Sequence, residues 1–263
     1  MMLADACSPT PSPVRPALFP SPFVMTLSTP EPLLRHLRTV PGLERGHRRL
    51  VVLLSQLGDF DSLEYAQALA GALPALRQAG IRLLAIGIGE EAGAERFCAF
   101  TGLPRPVLQV EPTPRLHAAL GLYAGLKAPG GPWGGLLLMC AGLGSPGTLA
   151  EVWRGYRGDR SAPQRLESPL FALAGGEGFQ RPFELATVRL RNMVEVLSHW
   201  RTYVPRDDFL TQRGGTWLLE HDDSLLYSFQ DQGLLGFSAT MARPLSFLDP
   251  WLLDATGAEP REG

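Results

Sequence analysis

The sequence predicts an α/β fold whose sheet is at least partly parallel and covered by helices on both faces. Three observations predict it. Leu50 to Gln56 and Ile81 to Ile88 are unbroken leucine and β-branched runs of strand length, as expected for strands buried on both faces. Helical periodicity follows each of them, which calls for right-handed strand-helix-strand crossovers. Late in the chain, Thr216 to Glu220 and Leu225 to Phe229 flank the turn His221-Asp222-Asp223-Ser224 and read as a hairpin.

Taken in order, residues 1 to 32 hold eight of the 24 prolines, and proline lacks an amide donor and forces its predecessor into extended states. This segment reads as a tail, without the charged and apolar regions of a secretory signal. Leu33 to Arg49 is arginine-rich and leads into the first strand. Asp61 is expected as an N-cap with Glu64 as its capping-box partner, opening a helix from Ser62 to Gln78 that buries Leu63, Ala66, Leu69, Ala70 and Leu73 and stops at Gly80. After the second strand comes a helix from Glu90 to Phe100 closed by Gly102, then a strand from Pro106 to Val110. Thr113 and Pro114 are placed to open a short helix through Leu122.

From Lys127 to about Gln180 the chain is rich in glycine and proline with weak periodicity, and reads as irregular. A strongly amphipathic helix from Pro182 to Trp200 then presents Phe183, Leu185, Ala186, Leu190, Met193, Val194 and Leu197, a face expected to pack on the sheet or to mediate self-association. A last helix is expected near Pro244, before an acidic tail. The predicted organisation is a tail over 1–32, one domain over 33–255 with an insertion at about 129–213, and a tail over 256–263.

Composition narrows the function. Twenty-four basic against 26 acidic groups give a formal charge of −2, so no global field draws the chain to nucleic acid or an anionic membrane. The basic stretch Arg35 to Arg49 has few aromatics on which bases could stack. Trp133 to Leu143 is the longest apolar run and is too short to span a bilayer. The three cysteines, Cys7, Cys98 and Cys140, are odd in number and widely spaced, which supports neither a disulfide framework nor a zinc site and points to a reducing, cytoplasmic setting. The five histidines show no metal-binding spacing, and no metal or cofactor is expected.

The stretch VVLLSQLGDFDSLEYAQAL, Val51 to Leu69, joins a buried strand to a long helix. With GIRLLAIGIG (Gly80 to Gly89), PRPVLQVEPTPRLHAALGLYAGL (Pro104 to Leu126) and GGTWLLEHDDSLLYSFQDQG (Gly214 to Gly233), it resembles the peroxiredoxin-like AhpC/TSA family, in particular a branch from cyanobacteria and plant plastids. That resemblance implies a thioredoxin-like fold with a large insertion before the terminal hairpin. It also implies redox or antioxidant chemistry at the mouth of the helix, where N-terminal amides stabilise a thiolate. Matching strand to strand puts Phe60 and Leu63 in the two cysteine slots and Gly215 where such folds carry a cis-proline. Asp59 and Asp61 bring negative charge that opposes a thiolate.

Two function classes follow. In the first, the chain is a non-catalytic binding or interaction module, linked to redox or photosynthetic physiology through its relatives. Its binding surface would be Asp59, Phe60, Asp61, Ser62, Leu63, Gly215 and Thr216, and its partner a protein. In the second it is a thiol peroxidase or oxidoreductase using Cys98 or Cys140, although each sits in an apolar setting where cysteine is commonly just packed. A third reading notes that Gly87, Gly89 and Gly93 follow a strand and open a helix, with Glu111 ending the next strand, the outline of a nicotinamide dinucleotide site. Gly142 to Gly147 lacks the spacing of a serine nucleophile and reads as a loop.

Overall fold

A computed structural model describes residues 28–143, 177–233 and 243–256, those of 177–187 and 253–256 as backbone only. Cys7, Ser145, Trp153 and both tails beyond these limits lie outside the described residues.

The strands are β1 (Arg48–Gln56), β2 (Ile81–Ile88), β3 (Leu108–Glu111), β4 (Gly215–Leu219) and β5 (Leu225–Gln230). They form one sheet in the order β3-β2-β1-β4-β5. β1 pairs parallel with β2, and β2 parallel with β3, while β4 joins β1 and β5 antiparallel. This is the thioredoxin-like arrangement: two crossovers followed by a hairpin. β1 lies at the centre with every residue after Arg48 buried, and its side chains alternate between two cores. Leu50, Val52 and Leu54 join Leu63, Ala66, Leu69 and Phe97 on one face. Val51 and Leu53 join Leu33, Leu37, Leu116 and Trp217 on the other.

The helices are α1 (Glu31–Leu37), α2 (Phe60–Gln78), α3 (Glu91–Thr101), α4 (Arg115–Ala119), α5 (Gly131–Cys140), α6 (Glu177–Ser198), α7 (Trp200–Tyr203) and α8 (Asp249–Thr256). Several depart from the sequence expectation. α1 begins inside the proline-rich stretch because Pro30 and Pro32 sit at its start, where a missing amide costs nothing. α2 begins two residues early. Asp59, not Asp61, is the cap: its Oδ1 accepts a hydrogen bond from the Asp61 amide (3.2 Å), and its carbonyl accepts one from Leu63 (3.2 Å). Glu64 turns to Arg189 on α6 (3.2 Å) rather than back to a cap. α4 ends at Ala119, short of Leu122, where Gly121 turns left-handed (φ 67°) and its amide closes on the Ala118 carbonyl; at its start the Leu116 amide donates to the Glu111 carboxylate (3.2 Å), so Thr113 is not its cap.

The passage read as irregular contains α5. Its glycines have low helix propensity, yet they let the helix approach its neighbours. A Cβ at Gly134 would stand 2.5 Å from the Pro129 carbonyl oxygen, and one at Gly135 would meet that of Leu126. α6 extends five residues upstream of Pro182, which therefore lies inside it. Of the two expectations for its apolar face, packing on the sheet is not met: Asn192 and Val196 are fully buried, whereas Leu190 and Leu197 are about 60% exposed and Met193 and Val194 also face outward. The side chains of Phe183, Leu185 and Ala186 are outside the described set.

Candidate functional site at the mouth of the central helix

The loop after β1 is shaped by close packing. A Cβ on Gly58 would fall 3.2 Å from Tyr203 Cβ and against the Val204 side chain, so the α6–α7 arm presses directly on the turn that launches α2. Gln56 adds a tie, donating through Nε2 to the Arg206 carbonyl (2.5 Å). β4 enters from the other side, and the Thr216 hydroxyl lies 3.2 Å from the Tyr65 hydroxyl. The sheet thus brings Asp59 to Leu63 together with Gly215 and Thr216. It does not leave them as an open surface. Asp61, Ser62, Leu63, Gly215 and Thr216 are all buried, and only Asp59 and Phe60 are partly accessible. The exposed lip expected from sequence is closed because α6 and the 203–206 segment cover it.

Arg213 lies at the centre of the mouth and is 1% exposed. Its Nη1 pairs with Asp59 Oδ2 (3.0 Å), while Nε and Nη2 donate to the carbonyls of Thr211 and Leu210 (both 3.1 Å). Asp59 therefore takes a helix N-terminal amide with one oxygen and a buried guanidinium with the other. Those are the two groups that would stabilise a thiolate at this position. Arg189 approaches Asp61 at 4.0 Å from α6. Burial, reinforced by the neighbouring charge of Asp59, holds Asp61 well above the ordinary carboxylate range. Burial likewise pushes Asp231, just past β5, up to about 7, with Asp59 adding to the shift and Arg213 and the Gly233 amide opposing it.

Neither described cysteine lies on the loop between β1 and α2. Cys98 is buried on α3 and its pKa is raised to about 11, chiefly by desolvation, with Arg105 opposing the shift and Glu95 and Glu91 adding to it. Cys140 is exposed, contrary to the packed reading, and the charges of Arg213, Asp59 and Asp61 act on its thiol. Its pKa is nonetheless raised, first by local desolvation. As the last residue of α5 it also faces the negative end of a helix dipole.

The glycines of the nicotinamide outline serve close packing. A Cβ on Gly87 would lie 2.5 Å from Leu57 Cδ2, one on Gly89 2.8 Å from Leu57 Cδ1, and one on Gly93 2.5 Å from the Thr202 carbonyl oxygen. The close approach of Leu57 and α7 accounts for these glycines, and the Glu111 carboxylate accepts from the Leu116 amide at the start of α4. Among the described residues no three metal-ligating side chains gather, and no helix is long and apolar enough to cross a membrane.

Arg213, Asp231 and Arg189 escaped the sequence reading. Arg213 and Arg189 belong to no motif, Asp231 sits in the quoted hairpin stretch without a signature of its own, and the convergence of the three depends on how the insertion and β5 come to rest beside α2.

A family model described as AhpC/TSA antioxidant enzyme matches residues 68–233, more than half of the chain. The match begins downstream of Asp59 to Leu63, so it carries no statement about a thiol at the mouth. No curated protein and no solved structure gives a significant match.

Proposed function

The chain belongs to the AhpC/TSA antioxidant-enzyme family, and from that premise we propose that it works without a peroxidatic thiol, as a non-catalytic binding module in the cytoplasm. The observation that carries this reading is the Asp59–Arg213 pair. A peroxidatic sulfur must be ionised at neutral pH, and ionisation needs donors and positive charge aimed at it. Here a carboxylate engages both, and Asp61 and Asp231 add acid groups around the same cation. The branch that the sequence resembles associates the module with redox or photosynthetic physiology, and its partner is a protein.

A second reading is favoured by one observation. Cys140 is exposed and lies within the field of Arg213, so a slow thiol reaction at the edge of the mouth is the alternative. The two readings separate in the native host. A chain with Cys7, Cys98 and Cys140 replaced by serine restores a deletion strain if the module is non-catalytic. Loss of rescue together with loss of Cys140-dependent peroxide consumption establishes the enzyme instead.

A further inference from the structure

α6 is oriented with its polar groups inward. Glu195 pairs with Arg96 of α3 (2.6 Å) and accepts a hydrogen bond from the Tyr203 hydroxyl (2.9 Å). Arg189 reaches Glu64, the Asn192 side chain accepts from Gln67 of α2 (3.0 Å), and the Arg191 guanidinium lies over the Phe100 ring at 5.2 Å. The side turned away from the domain carries Leu190, Met193, Val194 and Leu197.

We propose that the outward apolar faces of α6 and α5 form the interface with a second copy of this chain. Leu190, Met193 and Leu197 have the three- and four-residue spacing of a coiled-coil seam, and the sequence continues it upstream at positions 183 and 186. Such a seam carries no charge and is complementary to itself, so two copies related by a two-fold axis satisfy it with an antiparallel pairing.

α5 extends the same surface. At one end its Trp133 ring lies 5.4 Å from Trp200, just past the end of α6. α5 thus adjoins the C-terminal end of α6 and contributes Trp133, Leu137 and Leu138, with Leu143 just beyond its end.

The eight exposed apolar side chains present on the order of 800 Å² per chain, the amount each partner of a stable interface covers. A bilayer surface is the poorer occupant. Interfacial helices need free basic residues beside their apolar face, and on the described part of α6 Arg189 and Arg191 are engaged by the domain.

Sedimentation velocity of the full chain between 1 and 100 µM tests this. The expected result is a dimer that Leu190→Glu with Leu197→Glu weakens at least 100-fold, with far-UV circular dichroism unchanged and Leu190→Met without effect. Should the double variant misfold, the wild type still answers: peroxide oxidation of Met193 must slow as the chain dimerises. A wild type that stays monomeric to 100 µM overturns the proposal. So does a dimer that survives the double substitution, Met193 oxidation independent of concentration, or binding of the face to lipid vesicles in place of a second copy.

Discussion

Arg213 Nη1 stands 3.0 Å from Asp59 Oδ2 at the head of α2, with the guanidinium sealed from solvent and the carboxylate partly accessible. The pair joins the N-cap of the central helix to the segment that enters β4. Removing one partner strands a buried charge. Asp59→Ala and Arg213→Met are each expected to destabilise the chain by about 3–5 kcal/mol, whereas the double variant Asp59→Leu with Arg213→Met recovers most of that loss. Urea unfolding of the four chains measures the coupling.

Asp231 sets a pH dependence of opposite sign to the usual carboxylate. Its folded pKa of about 7 lies above its unfolded value, so the folded state holds a proton that the unfolded chain has released. Its contribution to stability is fully present below about pH 4 and is lost as pH rises through about 7. Asp231→Asn is expected to flatten the stability profile between pH 4 and 7 and to stabilise the chain at pH 8, read as urea midpoints across that range. Glu220 behaves conventionally: the Arg48 guanidinium, reinforced by His221, holds it at about 2, and its contribution fades only in strong acid.

The glycines after β2 are steric requirements. Gly93→Ala places a methyl group against the Thr202 carbonyl, a backbone atom that cannot yield cheaply, and is expected to cost about 1–3 kcal/mol. Gly87→Ala meets the flexible end of Leu57, so Leu57→Ala in the same chain should relieve part of its cost. Thermal unfolding reports both, and NADH fluorescence should show no saturable binding in any of these chains.

Much of the fold is legible because buried strands and capped helices announce themselves locally. Leu50 to Gln56 reads as a central strand from composition alone, and Gly102 stops α3 in the left-handed conformation at φ 78°. What is not legible depends on tertiary choice. Asp59 and Asp61 are both chemically suited to cap α2, and only the start of the hydrogen-bond ladder at Asp59 decides between them. The α6 pattern shows an apolar face without saying which way it turns, and in the fold the ion pairs to Glu64 and Arg96 fix the polar side inward. Arg213 has no local signature, since its meaning arises only when β4 comes to rest beside β1.

Cysteine labelling of the native chain is expected to distinguish the two described thiols. Cys140 reacts with a maleimide at a rate that rises steeply above pH 8, because its pKa is raised. Cys98 reacts only when α3 opens, so its labelling tracks denaturant concentration.

The central claim is that no thiol is activated at the mouth of α2, and the rate of hydrogen peroxide with each cysteine, native against urea-unfolded, tests it most directly. The account predicts that Cys98 and Cys140 react no faster in the folded chain than in the unfolded one. A folded-state rate at either cysteine 100-fold or more above the unfolded rate would contradict it.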